Sequence, residues 1–370
     1  MPIAILRDAV LRTAPQDEVI FAPPQDGDLC TDRQILILYD GAVEEALMRR
    51  RKKVGQLGFE DIPIVQRGNG NNDALGQIEQ LVDWAALERV LAGVHASSRG
   101  EPAYPPLVMF KVLLLQRWHA LSDPAMEAAL SDRLSFMRFA GLSLSDETPD
   151  HSTIWRFRQK LIEDGLAERL FAEVVEQLSR RGLLLKQGTL IDASLVSSAA
   201  RRPRMDEPKQ SPVDPDARFG TTNERGRFTF GYKAHIAVDQ GTGLIRAQEL
   251  TPGNVQEVDV ASELLAPDAG TVYGDRAYDS ERLRQHLFAK GLGDGLMRRG
   301  RKNKPLDQAA LDRNHALIPV RRNVERVFGT MKRSYRMGRM RAYSLARNAV
   351  DLCLFAIAFN LRRWHRIVTT

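Results

Sequence analysis

The chain has 370 residues, with 53 Lys/Arg against 47 Asp/Glu, a net charge of +6, and 43% hydrophobic residues. Those values exclude wholesale disorder, and the length allows two or three domains, each with its own core. No apolar run reaches the roughly 18 residues of a membrane span, because Asp351 interrupts 349–361, Lys111 interrupts 107–115, and Arg7 and Asp8 interrupt 3–11.

Residues 1–72 hold Pro23-Pro24 and the run Arg67-Gly68-Asn69-Gly70-Asn71-Asn72, which read as turns or linkers in an N-terminal extension. Residues 73–182 read as an all-helical domain for DNA binding or dimerisation, or as a plain helical bundle with surface arginines. Leu75, Ile78, Leu81 and Val82 keep helical spacing. Asp83 can cap 84–91, and 107–121 is apolar on nearly all sides, as a buried helix would be. Ser122 with Pro124 opens a helix to about residue 134. Asp150 or Ser152 opens 153–162, which displays Arg156, Arg158 and Lys160. A last helix runs over 166–181 and stops at Gly182.

The texture changes at Leu183. Residues 183–194 are strand-like, and 199–226 form a polar loop. Residues 232–238 and 244–250, split by Gln240-Gly241-Thr242-Gly243, predict a hairpin. Asn254 with Glu257 resembles a capping box for a helix to about 265. A short strand at 271–274, a helix capped at Asp279/Ser280 and ending at Gly291, and a strand at 294–298 follow. After a basic loop, 320–335 and 344–367 are helical. The predicted class is therefore α/β: a ribonuclease-H-like mixed sheet with flanking helices over 183–343, and 344–370 as a C-terminal helix packed on it.

Charge is concentrated. Residues 295–341 contain fourteen Lys/Arg and three acids, a net +11, with smaller clusters at 49–53 and at Arg201, Arg202 and Arg204. Such density attracts a polyanion; a solvated surface is the bland alternative. Two cysteines, Cys30 and Cys353, and seven scattered histidines give neither a disulfide framework nor a zinc site, so a cytosolic chain is expected.

Three acids stand at element ends. Asp192 lies in the apolar run Leu190-Ile191-Asp192-Ala193, where a carboxylate is costly unless paired or metal-bound. Asp275 ends the 271–274 strand, where ligand groups of open α/β sheets gather. Glu325 shares a helical face with Arg321 and Lys332. Taken singly, each has an ordinary reading: a hydrogen-bonded buried aspartate, a turn cap, and half of a salt bridge with Arg321. The fold order brings the three together.

The chain resembles the bacterial insertion-sequence DDE transposases, in particular the "insertion sequence five" family. The resemblance rests on Thr189-Leu190-Ile191-Asp192-Ala193-Ser194, Gly231-Tyr232-Lys233-Ala234-His235, Tyr273-Gly274-Asp275-Arg276-Ala277-Tyr278-Asp279 and Arg321-x3-Glu325-x6-Lys332. It extends to Pro105-Pro106-Leu107-Val108-Met109-Phe110-Lys111 and Thr148-Pro149-Asp150-His151-Ser152-Thr153. Ile318 stands where the family signature has Tyr.

The resemblance implies a catalytic, metal-binding trio of Asp192, Asp275 and Glu325 holding two Mg²⁺ or Mn²⁺ ions. It implies water cutting the element end and the freed 3′-hydroxyl attacking target DNA. Arg321, Lys332, Lys233, His235, Tyr278, Arg301, Lys302, Arg201 and Arg202 are the expected DNA contacts. The expected partner is double-stranded DNA, held by a homodimer or larger assembly in the bacterial cytoplasm, at the nucleoid. A ribonuclease-H-like nuclease that does not join strands, and an inactive DNA-binding derivative, are the alternatives.

Overall fold

The chain opens its ordered core with helices that the sequence caps locally. The computed structural model describes residues 51–56, 58, 74–94, 102–204, 206, 208, 210–221, 228–301 and 305–369. The expected extension at 1–72 and the contact residue Lys302 lie almost wholly outside this set. The described residues belong to one compact unit, Arg50–Thr370.

Among the described residues, seven helices precede the sheet: α1 (Ala74–Leu81), α2 (Trp84–Leu91), α3 (Pro106–Trp118), α4 (Asp123–Asp132), α5 (Leu134–Ala140), α6 (His151–Glu163) and α7 (Leu166–Arg180). Asp83, Ser122 and Asp150 cap α2, α4 and α6, each side chain accepting from a backbone N–H three residues on. Pro106 starts α3, where a missing N–H costs nothing. Every residue of α3 except Leu107 is buried. Lys111 survives there because its Nζ lies 2.8 Å from Glu79 and 4.6 Å from the centre of the Trp84 ring. The helix expected from Ser122 to about residue 134 ends at Asp132, and α5 follows after Arg133, which is extended at φ −111° and ψ 104°.

The sheet follows: β1 (Gly188–Ser197), β2 (Arg218–Thr221), β3 (Phe228–Asp239), β4 (Ile245–Pro252), then α8 (Glu257–Ala261), β5 (Thr271–Gly274), a 3₁₀ turn (Arg276–Tyr278), α9 (Glu281–Ala289), β6 (Gly293–Leu296), α10 (Gln308–Arg333) and α11 (Leu345–Thr369). The long β3 pairs with β1 on one side and with both β2 and β4 on the other, all antiparallel. β1 pairs with β5, and β5 with β6, in parallel. The first and fourth strands of the predicted order are therefore neighbours. The β3–β4 turn closes on Asp239, whose Oδ1 accepts from the backbone N–H groups of Gly241 and Thr242.

The two faces of the sheet feed separate cores. Leu190, Val196, Ala234, Ile236 and Val238 join the large core with the seven helices, α10 and α11. Ile191, Ala237 and Val272 join a smaller core with α8 and α9. α11 touches β4 as well as α3 and α7, tying the helical layer to the sheet. Its Asp351 pairs with Arg117 of α3, and its Asn360 closes the edge of β4 by bonding Ile245 N and O.

Four details differ from the sequence expectation. The 199–226 loop holds β2. α8 has five residues, and its N-cap, Gln256, makes no side-chain cap bond, so the Asn254/Glu257 capping box does not form. The helix placed at 320–335 starts at Gln308 under an Asp307 cap and carries Pro319 inside it. Arg158, expected on display, is 15% exposed and makes two hydrogen bonds to Asp123.

Candidate active site

The β1–β5 ladder ends at Leu190 opposite Tyr273. Asp192 and Asp275 each stand two residues beyond that last rung. Side chains two residues apart share a sheet face, so Asp192, where β1 runs on past the end of β5, and Asp275, just beyond β5, lie on the same side. Leu190 marks that side as the one covered by α10.

Asp192 is 15% exposed, with Oδ1 accepting from Ala193 N at 2.9 Å. Burial pushes its carboxyl up to about 7; Arg321 opposes the shift, while Asp275 and Glu257 add to it. Arg321 of α10 places Nη2 3.9 Å from Asp192 Oδ2. Lys332, three turns along α10, has its ammonium pulled down by burial, with Asp192 acting against that pull. Asp275 is half-buried and also caps the 3₁₀ turn, Oδ1 accepting from Ala277 N at 2.8 Å.

A further carboxylate enters from α8. Burial and then Asp275 push the Glu257 carboxyl up, and Lys233 and Arg321 oppose them. Lys233 lies 3.5 Å from Glu257 and donates to Val255 O at 2.9 Å. The sequence offered Glu257 only as a helix cap; its signal lay in Lys233, the inward basic residue of the neighbouring strand.

Tyr278 is 0% exposed, and its Oη is buried without a hydrogen-bond partner. Its phenol is raised by burial and then by Glu257, Asp192 and Asp275, so it sits under the carboxylate group. His235 is also 0% exposed, with Nε2 2.9 Å from Thr251 Oγ1. Neither side chain has surface to offer DNA, which corrects the contact roles expected for both. Lys233, at 9% exposure, is committed to Val255 and Glu257 rather than free for phosphate.

Glu325 is exposed on α10, one turn from Arg321. The charges acting most on Asp192 are Arg321, Asp275 and Glu257, and Glu325 is not among them. Among the described residues, no three of His, Cys, Asp and Glu gather closely enough to hold a metal. The expected trio is thus brought together in two members, with the third on the covering helix. The donor chemistry still suits a hard divalent cation. It is all carboxylate, Asp192 has only the 3.9 Å contact with Arg321 as counter-charge, and the Tyr278 hydroxyl lacks a partner.

Of the other expected contacts, Arg201, Arg202 and Arg301 are exposed, and Arg202 lies 5.3 Å over the Phe219 ring. Arg298, in the loop expected to track DNA, is paired with Asp294 at 3.0 Å.

Residues 184–361 match the family described as "Transposase DDE domain", and residues 64–160 match "Transposase domain (DUF772)". The chain belongs to the DDE transposases. It is accordingly a DNA transposase enzyme, with Asp192 of β1 and Asp275 just past β5 inside its DDE domain. Among solved structures it is similar to a piggyBac transposase synaptic complex with hairpin DNA, at 11% identity over 80% of this chain and 73% of that one, with a TM-score of 0.37. Among the described residues, no helix is long and apolar enough to cross a membrane.

Proposed function

We propose that this transposase serves a bacterial insertion sequence of the "insertion sequence five" type, cutting DNA at the element ends and joining the freed 3′-hydroxyls to target DNA. The observation that carries the reading is the placement of Asp192 and Asp275, each two residues past the β1–β5 ladder and on one face. The strand order supports a ribonuclease-H-like catalytic domain over 183–343, preceded by the helical 73–182 segment for DNA binding or dimerisation.

Asp192, Asp275 and Glu325 would hold two Mg²⁺ or Mn²⁺ ions. Bound there, such ions supply Lewis acidity at the scissile phosphate and lower the pKa of attacking water. Arg321 and Lys332 flank Glu325 on α10 and bind the phosphate backbone beside the cut. Arg321 exchanges Asp192 for phosphate when DNA arrives, since its 3.9 Å pairing is loose. Tyr278, beneath the acids, donates its unpartnered hydroxyl to hold a carboxylate in place. Arg201, Arg202, Arg301 and Lys302 follow the DNA backbone. Two ends must be held at once, so the working form is a dimer or larger.

A joining assay tests the reading. The full chain is supplied with Mg²⁺, a duplex carrying a pre-cut element end with a 3′-hydroxyl, and plasmid target. Joined product supports transposition; cleavage without joining makes the protein a nuclease.

A further inference from the structure

The Arg321–Glu325–Lys332 face accounts for only part of the charge on α10. About 100° around the same helix lies a groove of about 640 Å³ between α10 and α11. Five arginines line it: Arg326 and Arg333 from α10, and Arg362, Arg363 and Arg366 from α11. Among the described residues, no Asp or Glu lines it. The floor is apolar, from Val327, Tyr335 and Phe359.

The groove is braced rather than loose. The β3–β4 turn forms its end wall, and both helices hold that turn. Arg363 Nε donates to Thr242 O at 2.8 Å, and Asn323 Nδ2 donates to Gln240 O at 3.3 Å. Arg362 is fixed with its guanidinium 5.6 Å over the Trp118 ring. Arg326, Arg333 and Arg366 are exposed. Neither Arg326 nor Arg333 has an acidic partner among the described residues.

We propose that this groove binds the sugar-phosphate backbone of duplex DNA flanking the cut site. The inference rests on the transposase reading above and adds a surface that the DDE acids do not define. Arg326 and Arg333, close to three more arginines and without an acidic partner among the described residues, present a positive field that a polyanion would neutralise. Arg326 and Arg333 stand seven residues apart, about 10 Å along α10. That span suits a run of phosphates rather than a single anion. Arg326 directly follows Glu325, so a duplex whose scissile phosphate meets Glu325 passes its neighbouring phosphates over Arg326 and Arg333. Guanidinium forks match phosphate oxygens in pairs, and their contact with phosphate carries no sequence preference.

The test uses the full chain and a labelled 30-base-pair duplex of arbitrary sequence, with binding measured across a salt series. Wild type is compared with the double variants Arg326→Ala/Arg333→Ala and Arg326→Lys/Arg333→Lys. Both positions are exposed, and circular dichroism and thermal melting check that each variant is folded. The alanine pair should weaken binding at least tenfold and flatten the slope of log K against log salt by about 2, at about 0.9 per phosphate lost. The lysine pair should retain most of the slope. An alanine pair with the wild-type slope overturns the groove, as does stronger competition by duplex RNA than by duplex DNA. If wild type joins DNA while the alanine pair binds normally, the groove alone fails. If wild type binds no duplex, the transposase reading fails and the groove with it.

Discussion

Arg321 on α10 reaches across to Asp192 on β1, with Nη2 3.9 Å from Oδ2, and joins the covering helix to the strand that carries the buried acid. The cation lies where Asp192 needs charge compensation and where a DNA phosphate would later compete for it. Arg321→Gln keeps polarity and removes the charge. It should leave the chain folded and lower metal-dependent DNA cleavage by about 10²-fold, the scale of losing one positioned donor at a developing charge. Single-turnover cleavage at saturating DNA measures it; an unchanged rate removes Arg321 from the site.

Glu257 adds a negative charge beside Asp275, partly answered by Lys233 at 3.5 Å. Glu257→Gln keeps the shape and removes that charge. The Mg²⁺ concentration for half-maximal cleavage should rise about tenfold, as for loss of an outer partner to metal ligands. A Mg²⁺ titration with an unchanged midpoint would show that Lys233 already cancels the charge.

His235 fills a fully buried strand position, and burial followed by the nearby Lys233 lowers its imidazole to about 3. In the unfolded chain it takes up a proton near pH 6.5. Between those values the unfolded state binds the extra proton, so stability falls as pH drops from about 6.5 to about 3. His235→Gln should make the stability-against-pH line shallower in that window, by up to about 1.4 kcal/mol per pH unit. Urea unfolding at pH 4, 5, 6 and 7 reads the difference, and parallel lines for the two proteins would refute it.

The Arg117–Asp351 pair joins α3 to α11 with both side chains under 10% exposed. Arg117→Met leaves a buried carboxylate alone and should cost about 3–5 kcal/mol of stability. Arg117→Met/Asp351→Leu should recover most of that loss, because no charge is then stranded. Denaturant unfolding of the two variants measures both steps. Equal losses would place the pair's contribution in packing.

Much of this was legible because its causes are local. Asp83, Ser122, Asp150 and Ser280 cap helices from a few residues away, and the 271–274 strand lies where its pattern puts it. The first half of α10 was lost because Pro319 reads as a boundary, although the helix runs through it. β2 was lost because its four residues, Arg-Phe-Gly-Thr, are too short and too mixed to show a strand pattern, although their partner, the Phe228–Gly231 end of β3, lies close by in the chain. Asp192 and Asp275 stood out by their positions. Glu257 did not, because what distinguishes it is a strand neighbour and a shared cleft, which no spacing along the chain reports. The buried states of His235 and Tyr278 were hidden for the same reason. A strand covered on both faces shows no alternation, and a tyrosine at a turn gives no sign of which way it faces.

The proposed chemistry requires Asp192 in β1 and Asp275 just past β5 to act as one metal-dependent unit. The most direct measurement compares Mg²⁺-dependent cleavage of an element-end duplex by wild type, Asp192→Asn, Asp275→Asn and the double variant, with DNA affinity measured in parallel. Each single change should abolish cleavage to the same floor as the double change, with DNA affinity within about threefold of wild type, because members of one catalytic unit are not additive. Cleavage surviving in either single variant at the wild-type rate would contradict it.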